Sequence, residues 1–142
     1  MNAELVLVLG GTRSGKSEFA EKYVLHQGAL GAYIATAEIL DDEMAVRVKL
    51  HKERRKQRWV NYEAPYAAEE VLPEAGQAAD AILFDSLTVY LSNLIYGKEP
   101  LQGNTEAKAA AVRERIAKVL AAARATGKTV VFVASDVGGG IV

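Results

Sequence analysis

Gly10-Gly11-Thr12-Arg13-Ser14-Gly15-Lys16-Ser17 fits the pattern G-x-x-x-x-G-K-[S/T] in full. Its surroundings decide how it is read. Upstream, Glu4 to Leu9 (E-L-V-L-V-L) is a short aliphatic run with the composition of a buried strand. Downstream, from Ser17 (S-E-F-A-E-K-Y-V-L), helical spacing puts Phe19, Ala20, Tyr23 and Val24 on one side. Strand, glycine-rich turn and helix are the context in which this motif forms a P-loop. The glycines let the backbone curl, so that several N–H groups point into one concavity at a helix N-terminus, where the dipole favours anions. Lys16 is then expected to reach the β- and γ-phosphates of a nucleotide, and the Ser17 hydroxyl to hold Mg²⁺. The alternative is a chance glycine-rich turn.

Outward from the motif, apolar runs alternate with helical patterns. Strands are expected at Ala32 to Ala35, Ala81 to Asp85 and Thr129 to Ala134, with a brief extended segment at Trp59 to Tyr62. Helices are expected from Asp41/Asp42 to about Gln57, from Ala67 to Leu72 with a stop near Pro73, from Leu87 to Tyr96 buried on most sides, and from Thr105 to Ala125. The last carries Val112, Ile116, Val119, Leu120 and Ala123 on one face. Residues 135–142 read as a glycine-rich loop. Continuous apolar strands alternating with helices predict an α/β fold, a mostly parallel sheet covered on both faces. Ligands bind such sheets at the carboxyl ends of the strands, where the P-loop, Thr36, Asp85 and Ser135-Asp136 fall.

The 142 residues suit one domain, 1–142, with no linker or internal repeat. A net charge of −1 gives no global field to recruit nucleic acid or an anionic membrane. With no cysteine, disulfides, thiolate nucleophiles and Cys-ligated metals are excluded. No apolar run reaches the length of a membrane span, and no signal peptide is evident. A cytoplasmic location is expected.

Two further features carry chemistry. Asp85 closes an apolar strand downstream of the P-loop, the Walker-B arrangement for a Mg²⁺ contact; the alternative is an N-cap for the helix at Leu87. Ser86 and Thr88 read as helix-start residues or as polar pocket contacts. In Lys49 to Arg58 (K-L-H-K-E-R-R-K-Q-R), six of ten residues are Lys or Arg. Such a run is usually a solvated helix face. Here Arg47, His51 and Arg55 share one face, with Arg58 close to it. Flanking guanidiniums favour a neutral imidazole whose lone pair could attack phosphorus. His26, at the end of the first helix, reads as a dipole partner.

Several segments together closely resemble the bifunctional adenosylcobinamide kinase / adenosylcobinamide-phosphate guanylyltransferase family of cobalamin synthesis. They are G-G-T-R-S-G-K-S at 10–17, Y-I-A-T-A at 33–37, I-L-D-D-E-M-A-V-R-V at 39–48, and His51 and Arg55 followed by Trp59. L-T-V-Y-L-S-N-L-I at 87–95 and D-V-G-G-G-I-V at 136–142 continue the likeness. The P-loop is shared by many families; the segment from Ile39 through the histidine and arginine is specific to this one. The resemblance implies a RecA-like P-loop NTPase fold that stops short of a further helix and strand with which the family continues. It implies phosphorylation of adenosylcobinamide by ATP or GTP, then transfer of GMP from GTP to adenosylcobinamide phosphate through a GMP–histidine, which falls on His51. It puts nucleotide contacts at Gly10 to Ser17, at Ala35, Thr36 and Ala37, at Arg55, Lys56, Gln57 and Arg58, at Glu63 and at Asp85. It implies a homo-oligomer, with a trimer expected. In two places the sequence departs from relatives: Leu50 stands where some have a second histidine, and Ser135-Asp136 where Asn-Glu is usual. The competing readings are a P-loop kinase whose basic helix only clamps phosphate, and a nucleotide-binding module without turnover. Nucleic-acid binding is the weakest, because Trp59 is the one aromatic adjoining the basic run.

Overall fold

The computed structural model describes residues 3–11, 14–54 and 57–135. Its elements in order are β1 (Leu5–Gly10), α1 (Lys16–His26), β2 (Gly31–Ala35), α2 (Asp42–Arg54), β3 (Trp59–Glu63), α3 (Ala68–Ala78), β4 (Ala81–Asp85), α4 (Leu87–Tyr96), α5 (Thr105–Ala125) and β5 (Thr129–Ser135). The strands form one sheet in the order β1-β5-β4-β2-β3, every pairing parallel.

The period-2 geometry of a strand explains how this sheet is buried on both sides. Ile82, Phe84, Val130 and Phe132 face one layer, where α3, α4 and α5 contribute Leu72, Tyr90, Leu94, Val119 and Ala123. Their neighbours Ala81, Leu83, Val131 and Val133 face the other, beneath Ala20 and Val24 of α1. The parallel α/β fold expected from the alternating pattern is thus present. All five strands end on one side, at Gly10, Ala35, Glu63, Asp85 and Ser135.

The extended segment expected at Trp59 is strand β3, paired with β2, with Trp59 buried and Val60 half-buried. Four other expectations need correction. Helix α3 does not stop at Pro73 but continues to Ala78. The proline sits one turn inside the helix, so its missing N–H removes one bond, to the Glu69 carbonyl. Burial of Leu72, Ala75 and Gly76 holds the rest. Gly76 is needed there, because a Cβ would lie 2.8 Å from the Thr126 side chain beyond α5. Helix α4 buries only one side, Tyr90, Asn93 and Leu94, and leaves Tyr96 83 % exposed. Helix α2 spans Asp42–Arg54, and Gln57, which the expected helix reached, lies with Arg58 in the turn into β3. On α1, Ala20 and Val24 reach the core as expected, whereas Phe19 is 57 % exposed.

Candidate active site

The P-loop turn is built by its glycines. Gly15, just before α1, has φ +83°, a left-handed conformation that an L side chain adopts only with strain. At Gly10, a Cβ would collide with the Ser14 side chain. The loop closes through Ser14 N–H donating to the Gly11 carbonyl at 3.2 Å, and Phe19 N–H to Gly15 at 3.0 Å. The Lys16 ammonium folds back over the turn and donates to the same Gly11 carbonyl at 3.1 Å. Thr12 and Arg13 lie outside the described residues.

Two strands away, β4 delivers Asp85 at its carboxyl end, with β5 between it and β1. With neighbouring strands about 4.8 Å apart, Gly10 and Asp85 are separated by roughly 10 Å across the sheet, a span that suits nucleotide phosphates and a cation. The capping alternative for Asp85 is answered by its neighbour. Ser86 is the N-cap of α4, its hydroxyl accepting from Val89 N–H at 3.2 Å. The Asp85 carboxylate instead accepts from the Tyr33 hydroxyl. Beneath lies a buried polar knot. The Thr36 hydroxyl accepts from Ser86 N–H at 2.8 Å and donates to the Ser86 carbonyl at 2.9 Å. The Asn93 amide donates to the carbonyls of Thr36 and Pro65 at 2.7 and 3.1 Å. The Thr36 side chain is therefore occupied inside the fold and ties the ends of β2 and β4 together. Thr88 has a similar part, its hydroxyl accepting from Ser135 N–H at 2.8 Å.

Helix α2 carries the basic segment. Asp41 caps it, accepting from Met44 N–H at 2.8 Å. None of its residues from Asp42 to Glu53, those whose side chains are described, is buried. Lys52 joins the Glu63 carboxylate at the end of β3, at 2.9 Å. Arg47 lies on the exposed surface 3.9 Å from Glu43, one turn back. Arg58 departs from expectation. Its guanidinium donates to the carbonyls of Ala29, Leu25 and Gly28 at 3.2, 3.0 and 3.0 Å, closing the loop after α1 at the amino end of the sheet. It turns away because these carbonyls, left open where α1 ends, lie next to the start of β3. Gln57 lies in the same turn. Arg55, Lys56 and Asp136 lie outside the described residues.

Between α1, α2 and the carboxyl ends of β2 and β4 lies a cleft of about 300 Å³. It is lined by Ser17 and Glu21 of α1, Tyr33, Ala35 and Ala37 at the end of β2, Val48 and His51 of α2, and Asp85, Ser86 and Val89. The structure thus gathers Ser17, Asp85, His51, Ala35 and Ala37 round one space. Lys16, Ser14 and Gly15 line a second groove of about 570 Å³ along β1. Among the described residues no group of three His, Asp or Glu side chains could hold a metal. One hydroxyl and one carboxylate, Ser17 and Asp85, nevertheless fit Mg²⁺, which takes few protein oxygens and completes its shell with water and phosphate.

Residues 6–142 match the sequence profile of the family described as cobinamide kinase / cobinamide phosphate guanyltransferase. The chain belongs to this family. It is similar to the bifunctional adenosylcobalamin biosynthesis protein CobP of Pseudomonas aeruginosa, at 37 % identity over 127 residues, covering 88 % of this chain and 73 % of that one. It is likewise similar to the bifunctional adenosylcobalamin biosynthesis proteins CobU of Escherichia coli and of Salmonella typhimurium. These are 34 % and 35 % identical over 142 residues, covering 97 % of this chain and 78 % of each. As a cobinamide kinase / cobinamide phosphate guanyltransferase, the chain is a transferase with two activities, and nucleotides are its co-substrates. No helix among the described residues is long and apolar enough to cross a membrane.

Sequence reasoning overlooked two cleft residues, Glu21 and Tyr33. Glu21 stands four residues after Ser17 and so shares its helix face, a spacing open to reading beforehand. Tyr33 stands two residues before the end of β2, so it faces the same side as Ala35. That it meets Asp85 depends on β2 pairing with β4.

Proposed function

We propose that a single domain carries both transfers through this one cleft, the P-loop gripping the triphosphate while His51 addresses its α-phosphate. The observation that carries the reading is that Ser17, Asp85 and His51, from three separate segments, line the same space. In the kinase step, ATP or GTP is held by the main-chain N–H groups of Gly10 to Ser17, and Lys16 leaves the Gly11 carbonyl for the γ-phosphate. Ser17 and Asp85 hold Mg²⁺, which when bound offsets phosphate charge. The aminopropanol hydroxyl of adenosylcobinamide then attacks γ-phosphorus, its proton passing to solvent, and the nucleoside diphosphate leaves with the electrons of the broken P–O bond.

In the guanylyl step a His51 ring nitrogen attacks the α-phosphorus of GTP through its lone pair, forming an N–P bond and expelling pyrophosphate. A phosphate oxygen of adenosylcobinamide phosphate then attacks the same phosphorus, giving adenosylcobinamide-GDP and returning the imidazole. Splitting one displacement into two in this way is the use of a covalent nucleophile. Glu63, paired with Lys52, steadies α2 beside the site. Exposed apolar groups on β1 (Leu7, Leu9), α1 (Phe19) and α2 (Val46, Leu50) suit a homo-oligomer, a trimer by resemblance. Dependence on ATP and GTP suits the cytoplasm.

Incubation with α-labelled GTP tests the reading. Acid-labile label on the wild type, absent from His51→Ala while that variant still phosphorylates adenosylcobinamide, is the expected result. Unlabelled wild type, or label surviving in His51→Ala, rejects the histidine route and leaves a kinase with a basic clamp.

A further inference from the structure

We propose that Tyr33 is a positioning residue for Asp85, holding its carboxylate in the orientation that receives Mg²⁺ with the nucleotide. The inference rests on the reading of Asp85 as the metal contact. Tyr33 and Asp85 lie on the side of the sheet that faces α1, diagonal to each other across the β2–β4 pairing, in which Ala35 is the direct partner of Asp85. The phenol hydroxyl donates to Asp85 Oδ2, and among the described residues no hydrogen bond is made to Oδ1. One oxygen is thus fixed by the protein, in a side chain that lines the cleft. The terminal torsion of an aspartate is broad and roughly two-fold, so without this donor the carboxylate samples other orientations.

The ring that delivers the hydroxyl is itself held. Trp59 meets Tyr33 edge to face, with centroids 5.8 Å apart and planes at 79°. The indole is held in turn by close approach to the backbone of β2, where a Cβ at Gly31 would fall 2.7 Å from it. A chain of contacts therefore runs from Gly31 through Trp59 and Tyr33 to Asp85. A phenol on a carboxylate is the kind of outer partner that orients a metal ligand, and loss of such a partner typically costs about tenfold to a hundredfold in metal affinity.

The test measures binding of α,β-methylene-GTP, which cannot release pyrophosphate to His51, by equilibrium dialysis across a range of Mg²⁺ concentrations, without corrinoid and so without turnover. It compares wild type, Tyr33→Phe, Asp85→Asn and the double variant. Tyr33→Phe keeps the ring and its contact with Trp59. It is expected to raise the half-saturating Mg²⁺ concentration about tenfold, with binding of the analogue in the absence of Mg²⁺ unchanged. The double variant is expected to match Asp85→Asn alone, because Tyr33 acts through that carboxylate. If Asp85→Asn shifts the Mg²⁺ dependence and Tyr33→Phe does not, or if their effects add, the positioning role is overturned and the metal contact stands. If Asp85→Asn leaves the dependence unmoved, the metal reading falls and the inference with it.

Discussion

Asp85 and Ser86 are adjacent, yet their side chains do unrelated work because a strand ends between them. Asp85 faces the cleft from β4, while Ser86 turns its hydroxyl back to cap α4. Tyr90, one turn into that helix, shows how buried polar groups hold the floor of the site. It is fully buried, and its hydroxyl accepts from Ala68 N–H at 3.1 Å, anchoring the start of α3. Burial, before any other influence, raises its pKa above the ordinary phenol value. With the folded pKa above the unfolded one, the native state binds more protons between the two values. The associated stability is complete below about pH 10 and is lost as pH climbs through the folded pKa. Tyr62 and Tyr66 are raised by burial too, so the alkaline loss is shared. Tyr90→Phe is expected to cost about 1–3 kcal/mol at neutral pH, by leaving Ala68 N–H without its acceptor. It is also expected to flatten the decline above pH 10; urea titrations at pH 7 and 10.5 check both. An unchanged midpoint at pH 7 would contradict the anchoring role.

Among the elements, α2 differs from the other helices. It buries none of its described side chains, and Val46 and Leu50 are exposed. Its Lys52–Glu63 bridge lies on the surface, where such pairs contribute at most about 1 kcal/mol. Its amides are therefore expected to exchange with solvent well before those of α1 or α5, which bury Ala20 and Val24, and Val119 and Ala123. Hydrogen exchange read by mass spectrometry checks this, and protection of α2 on adding GTP is expected if His51 engages the nucleotide. Protection of α2 equal to that of α5 without nucleotide would contradict it. This is also the scale at which the sequence was easiest to read. Apolar runs ending at Ala35 and Asp85, and the P-loop at Gly10 to Ser17, marked strand ends and hence the site. Pro73 misled, because a proline early in a helix removes one bond while packing supplies the rest. Arg58 misled because helical spacing assumed a helix that had already turned into β3.

For the whole molecule, the strand order matters most, and no local pattern contains it. Placing β5 between β1 and β4 sets the P-loop and Asp85 two strands apart at the carboxyl ends of the sheet, and pairing β2 with β4 brings Tyr33 onto Asp85. Resemblance supplied the expectation for His51, whereas its place in the cleft comes from the path of α2 over the sheet. The central claim is that the P-loop and His51 act on the same nucleotide. The most direct measurement maps the guanylyl group by peptide mass spectrometry after brief incubation with GTP and Mg²⁺, in wild type and in Lys16→Ala. The account predicts modification of the His51 peptide in the wild type and a rate lower by about a hundredfold in Lys16→Ala, the loss typical of removing one charge-stabilising group. Modification elsewhere, or at His51 with an undiminished rate when Lys16 is gone, would contradict it.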